Sequence, residues 1–507
     1  MSGHAASPLT ASSESKTIPA APNRRKRRLK VLVVTPELNG STALSKGGRI
    51  APQVKAGGLA DMATFLVDEL SREVDVHVAL PDFRRLAPID GRKTSHRLHL
   101  CKGSEFTRRG RVYADERASE LRAALAFQRE IVHNVIPRVR PDIIHCNDWM
   151  TALVPAAARM MGIPSLFSLH GLRNEWCTLA EVEDRGLDLE PCWQNLFFSH
   201  YPKEYYERNR GTSLNFLATA VHASDYVNTV SEGFLKELVA GQVGTPEISG
   251  VLRQKLESGR ASGILNAPCA SYSPVTDPAL PVTYDAAGHR AGKRENKLAL
   301  QQATGLELDP EAPVFFWPSR LDPHQKGCQI LAEILYRVVS DYWGLGAQFV
   351  FVADGPFYRH FRHIAEFHGL EHRIAVTPFK EGLSRLGYAG SDFCLMPSSF
   401  EPCGLAQMIA LRYGSLPIVH RTGGLADTVR HIHGTSHVGN GFVFEHHDTK
   451  GLRWAIDEAI RFFLLPEHQR ARDVSRVMRE NTFSSGPTVQ KYLEIYQTLC
   501  PRAGDVR

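Results

Sequence analysis

The strongest constraint on this chain is a unit that occurs twice: a short β-branched or aromatic run, a loop of glycines and charges, then a stretch of helical apolar spacing. The first copy starts at Leu29-Lys30-Val31-Leu32-Val33-Val34 and is closed by Thr35-Pro36-Glu37. After a Gly/Ser-rich loop it resumes at Gly57-Gly58, with Leu59, Met62, Phe65, Leu66 and Leu70 at helical spacing. An unbroken apolar run of this kind reads as a strand buried on both faces, which requires helices to cover it. Strand, glycine loop and helix open a doubly wound parallel sheet. The alternation continues with strands expected at 74–80, 142–145, 164–170 and 226–230 and helices at 118–139 and 151–161.

A second series begins near residue 312. It has a strand at 314–317, a loop from Ser319 to Gly327 and a helix at 328–339. Strands at 348–353, 374–377, 393–396 and 416–420 follow, with helices at 357–368 and 405–413. Gly57-Gly58-Leu59-Ala60-Asp61 also recurs letter for letter as Gly423-Gly424-Leu425-Ala426-Asp427. With 507 residues the chain is long enough for two cores, so two Rossmann-like α/β domains are expected. The reading divides it into a tail at 1–28, a first domain at 29–265, a second at 266–485, and a helical segment at 486–507 packing back on the first domain. Pro268, Pro274, Pro278 and Pro281 mark the linker.

Charge and cysteine usage remove several function classes. The net charge is +6, and residues 1–30 hold seven bases against the single acid Glu14, so residues 31–507 are formally neutral. The basic excess therefore belongs to a tail expected to be solvated and disordered, not to a folded face that would bind nucleic acid. A nuclear-localisation or RNA contact and a short transit peptide are its minority readings. The nine cysteines are scattered and never spaced C-x-x-C, which argues for reduced thiols and a cytoplasmic location, with a plastid as the alternative if the tail is a transit peptide. No apolar stretch reaches membrane-spanning length, so no membrane association is expected.

Three loops bring glycines, bases or a helix start to the carboxyl end of a strand: Lys55 to Gly58, Arg320 to Gly327, and Glu401 to Leu405. Close backbone approach, free helix N–H groups and full positive charges together make a diphosphate cradle. Rival motifs fail. No G-x-G-x-x-G follows a strand, the Gly288–Arg294 run lacks the P-loop spacing, and no D-x-D or H-E-x-x-H occurs. His360, His363, His368 and His372 read as a polar helix face, so no metal is assigned.

The pattern resembles the bacterial glycogen synthase and plant starch synthase family, whose fold is GT-B, two facing Rossmann-like domains with a cleft between them. The resemblance is carried by Lys55 to Asp61, His145-Cys146-Asn147-Asp148-Trp149, Phe167 to His170, Ser319-Arg320-Leu321 with Gln325-Lys326-Gly327, Phe400 to Leu405, and Arg421 to Val429. It implies a retaining glucosyltransferase that moves glucose from ADP-glucose, as substrate and not cofactor, to the non-reducing end of an α-1,4-glucan. Lys55, Gly57, Gly58, Arg320 and Lys326 would hold the diphosphate. Glu401 would hold sugar hydroxyls, with backbone donors around Cys403, Gly404 and Leu405. His170 and Asn266 would contact the glucosyl unit, Phe379 would stack on adenine, and Asp148 would lie on the acceptor side. Asp148 has a rival reading as a helix cap, and the role of Asp61 stays open.

Departures from the family pattern also stand in the sequence. The loop Leu38–Val54 is longer than usual, Asn266 is followed by Ala-Pro-Cys, one residue is inserted before Lys326, and His170 is followed by Gly171-Leu172-Arg173. Donor binding is thus read more firmly than the acceptor. The alternatives kept open are a GT-B transferase for another donor such as UDP-glucose, and a non-catalytic nucleotide-sugar or glycan-binding protein.

Overall fold

The computed structural model describes residues 27–501 apart from 46–50, 88–93, 115, 204–211, 435–437 and 482. Its first parallel sheet contains β1 (Lys30–Val34), β2 (Asp75–Pro81), β3 (Leu98–Cys101), β4 (Ile143–Asn147), β5 (Ser165–Leu169), β6 (Tyr226–Thr229) and β7 (Ala261–Gly263). They lie in the order β7-β6-β5-β4-β1-β2-β3. The second parallel sheet contains β8 (Val314–Trp317), β9 (Gln348–Val352), β10 (Ile374–Thr377), β11 (Phe393–Met396), β12 (Leu416–His420) and β13 (Phe442–Phe444), in the order β10-β9-β8-β11-β12-β13. Both orders reverse direction after the third strand, the doubly wound arrangement whose ligand crevice opens where the order reverses. In the first sheet that switch lies between β1 and β4, paired from Val31–Ile143 to Val34–Cys146. In the second it lies between β8 and β11, paired at Phe315–Phe393 and Phe316–Cys394.

The central strands are buried throughout; β8 and β11 are apolar runs, whereas β4 and β5 also bury His145, Asn147 and Ser168, each of them hydrogen-bonded. Helix α1 (Gly58–Leu70) covers one face of the first sheet with Met62, Ala63, Leu66, Val67 and Leu70. Helix α2 (Glu232–Ala240) starts just past β6, with Ser231 capping the amide of Phe234 at 3.1 Å. In the second domain α3 (Cys328–Asp341), α4 (Ala406–Arg412) and α5 (Gly423–Thr428) follow β8, β11 and β12. The repeated Gly-Gly-Leu-Ala-Asp pentapeptide opens α1 and α5, one residue out of step: Gly57 is the residue before α1, whereas Gly423 is the first residue of α5.

No strand or helix lies between Gly263 and His289. This proline-rich linker is pinned to the second domain by Asp277, which accepts from Arg385 at 3.0 Å and from Tyr413 at 2.5 Å. The chain then returns to the first domain through α6 (Ser485–Leu499). Its Tyr492, Ile495 and Tyr496 join the first core, the Tyr496 hydroxyl meets His145 Nδ1 at 2.8 Å, and Asn228 donates to Tyr492 Oη at 3.1 Å. Of the basic tail, residues 1–26 lie outside the described residues. Arg27 and Arg28 are exposed and also touch the body: Arg27 pairs with Asp142 at 2.5 Å, and Arg28 donates to the Arg72 carbonyl at 2.9 Å.

Candidate active site

On the first domain the site is built from the loops after β1, β4 and β5. Glu37, three residues past β1, is buried and collects three donors: the amides of Ala56 at 2.7 Å and Gly57 at 2.9 Å, and the Tyr113 hydroxyl at 2.5 Å. Burial raises its carboxyl above the usual range, against those three hydrogen bonds. Glu37 is thus the residue that shapes the Lys55–Gly58 turn, and the Gly57 amide expected to face a diphosphate is held by a carboxylate. Lys55 is also paired, with Asp61 at 2.8 Å, which gives Asp61 its place.

Asp148 follows β4 in a left-handed conformation, φ 62°, and its carboxylate does not cap the short turn Trp149–Thr151. The cap reading therefore falls away. Its Oδ1 is buried with no hydrogen-bond partner among the described residues. Burial, reinforced by the Glu37 charge, lifts its carboxyl to about 7, although the Trp149 and Gly171 amides and Arg173 oppose the shift. Arg173, one of the departures noted in the sequence, lies over the Trp149 ring at 4.8 Å. His170 follows β5; its Nε2–H donates to Asn147 Oδ1 at 2.9 Å, while Asn147 Nδ2 donates to the Val34 carbonyl at 3.1 Å. Burial depresses the imidazole to about 4, so His170 is neutral.

On the second domain the loops after β8 and β11 are knit together. Ser399 N donates to the Gln325 carbonyl at 2.8 Å, and Gln325 Nε2 to the Phe400 carbonyl at 3.3 Å. Gly327, at φ 74°, lets the first loop lie on the second: a Cβ there would sit 2.0 Å from the Pro397 carbonyl oxygen. This brings Lys326 Nζ to 2.6 Å from Glu401 Oε2, with Ser398 Oγ donating to the same oxygen at 3.0 Å. Both side chains of the ion pair are about nine-tenths buried. Arg320 is exposed, and its guanidinium has no hydrogen bond or ion pair with the described residues. Phe379 is 45% exposed, with its amide donating to Asp354 Oδ1 at 3.3 Å.

The two loop sets meet at the domain interface. A Cβ on Gly58 would lie 3.9 Å from Leu405 Cδ1, and Cys403 is buried within the first domain's core cluster. Burial pushes the Cys403 thiol up to about 12, so it is no nucleophile, and the Asn266 amide donates to its sulfur. Gly404 turns the chain at φ 69° just before α4. Asn266 Oδ1, like Asp148 Oδ1, is buried without a partner among the described residues. Buried acceptors that lack donors suit a ligand rich in hydroxyls, and Arg320 and Lys326 suit an anion.

Residues 30–254 match the model for the starch synthase catalytic domain, and residues 312–461 match glycosyl transferases group 1. A glycogen synthase of Exiguobacterium sibiricum is 31% identical, over 89% of this chain and 98% of that protein. This chain belongs to the glycogen and starch synthase family. It is a glucosyltransferase with a nucleotide-sugar donor and a glucan acceptor. The probable starch synthase 4 of Arabidopsis thaliana is 30% identical over 93% of the chain and 48% of that protein. Among solved structures, the catalytic domain of starch synthase IV from Arabidopsis thaliana, bound to ADP and acarbose, superposes with a TM-score of 0.76 at 27% identity, covering 94% of this synthase and 100% of that chain. A sucrose-phosphate synthase from Thermosynechococcus elongatus, at 17% identity and TM-score 0.58, shares the fold. The fold of the synthase is GT-B.

Lys326 and Glu401 come together in the synthase, and His170 and Asp148 stand at neighbouring strand ends. Lys55 and Gly57, expected to be available to a diphosphate, are engaged by Asp61 and Glu37. Sequence reasoning missed Glu37, although its place at the carboxyl end of the first strand, beside the switch point, was the available signal. The four histidines of 360–372 gather no metal-binding group, and none occurs among the described residues.

Proposed function

We propose that the donor is ADP-glucose and that glucose passes, with retention of anomeric configuration, to the 4-hydroxyl at the non-reducing end of an α-1,4-glucan. The buried Lys326–Glu401 pair at the β8/β11 switch point, adjoining the first domain through Leu405, carries this reading. ADP as the nucleotide is supported by the starch synthase IV neighbour, which is bound to ADP and acarbose. Phe379, an exposed aromatic ring held at its amide by Asp354, supports a stacked base.

The glucosyl C1–O bond to the diphosphate breaks and a C1–O bond to the acceptor forms on the same face; the acceptor proton passes to the departing diphosphate oxygen. Arg320 and Lys326 stabilise the negative charge that grows on that leaving group, an interaction stronger in the transition state than in the ground state. Glu401 orients Lys326 and accepts sugar hydroxyls. Asp148 and Asn266 offer acceptors to hydroxyl groups, and neutral His170 contributes hydrogen bonding without charge. No divalent ion is required in this scheme, because lysine and arginine supply the counter-charge. All nine cysteines are free, which supports a reducing, cytoplasmic compartment.

The test is ADP-glucose against UDP-glucose with glycogen as primer, in the presence and absence of chelator. Faster turnover with ADP-glucose, insensitive to chelator and yielding α-1,4 linkages by NMR, is expected. Preference for UDP-glucose would overturn the donor assignment, and loss of turnover restored by magnesium would overturn the metal-free scheme.

A further inference from the structure

Helices α2 and α5 belong to different domains yet cap each other. Gly233 N, in the first turn of α2, donates to Asp427 Oδ2 of α5 at 2.8 Å. Gly423 N, the first amide of α5, donates to Glu237 Oε1 of α2 at 2.7 Å, and Thr422 Oγ1 donates to Glu237 Oε2 at 3.2 Å. Each helix thus supplies the carboxylate that satisfies an orphan amide of the other. The approach is close enough that a Cβ on Gly233 would lie 2.4 Å from the Gly423 carbonyl oxygen.

The α5 turn is also the bed of the Glu401 loop. Gly424 N donates to the Glu401 carbonyl at 3.0 Å. A Cβ on Gly423 would stand 2.1 Å from that oxygen, and one on Gly424 would stand 2.0 Å from the Cys403 carbonyl oxygen. Ser231, the residue capping α2, donates to the Pro402 carbonyl at 2.6 Å. The backbone from Glu401 to Cys403 is therefore gripped from the first domain twice, directly by Ser231 and through the α5 turn by Glu237.

We infer that Glu237 and Asp427 are positioning residues for glucosyl transfer: their reciprocal caps fix the Glu401–Cys403 backbone against the first domain, so that the donor-side carboxylate is set by contacts from the acceptor-side domain. Neither residue touches the reacting atoms. The inference rests on the reading of Glu401 as a residue of the transfer site. A shift of the Glu401 carboxylate by about 1 Å would lower turnover on the order of a hundredfold, whereas Phe379, on the loop after β10, and Arg320, whose exposed guanidinium contacts none of the residues from Glu401 to Cys403, would still bind nucleotide.

The test compares Glu237→Ala, Glu237→Gln and Gly233→Ala in the full-length protein, reading kcat with ADP-glucose and glycogen, ADP affinity by calorimetry, and thermal unfolding. Glu237→Gln keeps an acceptor for Gly423 N and is expected to retain most of the turnover. Glu237→Ala is expected to lose about ten- to a hundredfold in kcat with ADP affinity near that of the wild type. Gly233→Ala leaves every hydrogen-bonding group in place and wedges the helices apart, so it reports independently should Glu237→Ala not fold. Folded Glu237→Ala or Gly233→Ala with wild-type kcat would overturn the inference, as would a fall in kcat matched by the fraction unfolded. Glu401→Gln serves as the control: if it keeps full turnover, the reading of Glu401 fails, whereas an inactive Glu401→Gln beside a fully active Glu237→Ala removes the positioning role alone.

Discussion

Removing Lys326 separates what its ion pair does for the fold from what it does for the reaction. Lys326 and Glu401 meet at 2.6 Å with side chains only 11% and 9% exposed, so deleting one partner strands a buried charge. Such a loss costs about 3–5 kcal/mol. For a domain of this size each kcal/mol moves the unfolding midpoint by roughly 2–4 °C, so Lys326→Ala should melt about 10 °C lower. Turnover should fall a hundredfold or more, on the order of a lost charge-assisted donor in a closed site. The decisive variant is the double substitution Lys326→Met with Glu401→Gln, which removes both charges together. Replacing a buried pair by neutral groups of similar size is close to neutral for stability, so the double variant should recover most of the lost melting temperature and none of the turnover. Thermal melts and ADP release in steady state measure the two effects. A single variant with an unchanged melting temperature would refute the buried pair, and a double variant with near wild-type turnover would refute the donor-site role.

Arg320→Ala should leave the melting temperature unchanged, because the guanidinium is exposed and unpaired among the described residues, while lowering turnover about a hundredfold; Arg320→Lys should restore little of it, since one ammonium cannot reproduce the planar fork. A folded Arg320→Ala protein with near wild-type rates would reject the diphosphate contact. For Asp148 the sign follows from its raised carboxyl: with a pKa of about 7 it is protonated below that pH and ionised above it, so a reaction that needs the carboxylate gains about tenfold in kcat/KM for glucan per pH unit up to about 7 and then levels off. Asp148→Asn should be slower and lose that limb, and a wild-type limb centred near 4 would contradict the buried carboxylate. Deleting residues 1–26 should leave melting and turnover unchanged, whereas extending the deletion through Arg28 should cost under about 1 kcal/mol, because Arg27 and Asp142 form a surface pair; a larger loss would show that the tail contributes more than this contact.

The strands that sequence reasoning found and those it missed differ in where they sit. Every interior strand of the two parallel sheets was legible: burial on two faces gives β8 the continuous apolar run Val-Phe-Phe-Trp, and β4 and β5 keep the apolar pairs Ile143-Ile144 and Leu166-Phe167 beside buried polar residues. In the two parallel sheets the strands left unread, β3, β7 and β13, are all edges. Strand β3 reads Leu-His-Leu-Cys and β7 reads Ala-Ser-Gly, since an edge strand pairs on one side only and does not need the same run. Strand β13 is apolar but only three residues long, too short to show a period.

The site was legible as a set of residues but not as a set of partners, and the physical reason lies in sequence separation. Lys55, Arg320 and Lys326 read along the chain as three cations awaiting a diphosphate. Folded, Lys55 pairs with Asp61, Lys326 pairs with Glu401 from 75 residues away, and the Gly57 amide is taken by Glu37. Tyr113, which completes the Glu37 cluster, comes from 76 residues away. The Lys326–Glu401 pair exists because β8 and β11 are neighbours in the second sheet, and Tyr113 reaches Glu37 only in the folded first domain, whereas Lys55–Asp61 and Gly57–Glu37 form within the β1–α1 unit itself. Their consequence is energetic: Glu401 already orders the Lys326 side chain, so donor binding as proposed would not have to order it from solution. On the proposed donor reading, a diphosphate entering the cleft would share Lys326 with Glu401 and draw Lys55 from Asp61, while Arg320 would meet it without first giving up a partner among the described residues. Arg320 is therefore the cation whose loss should affect the reaction while leaving the fold intact.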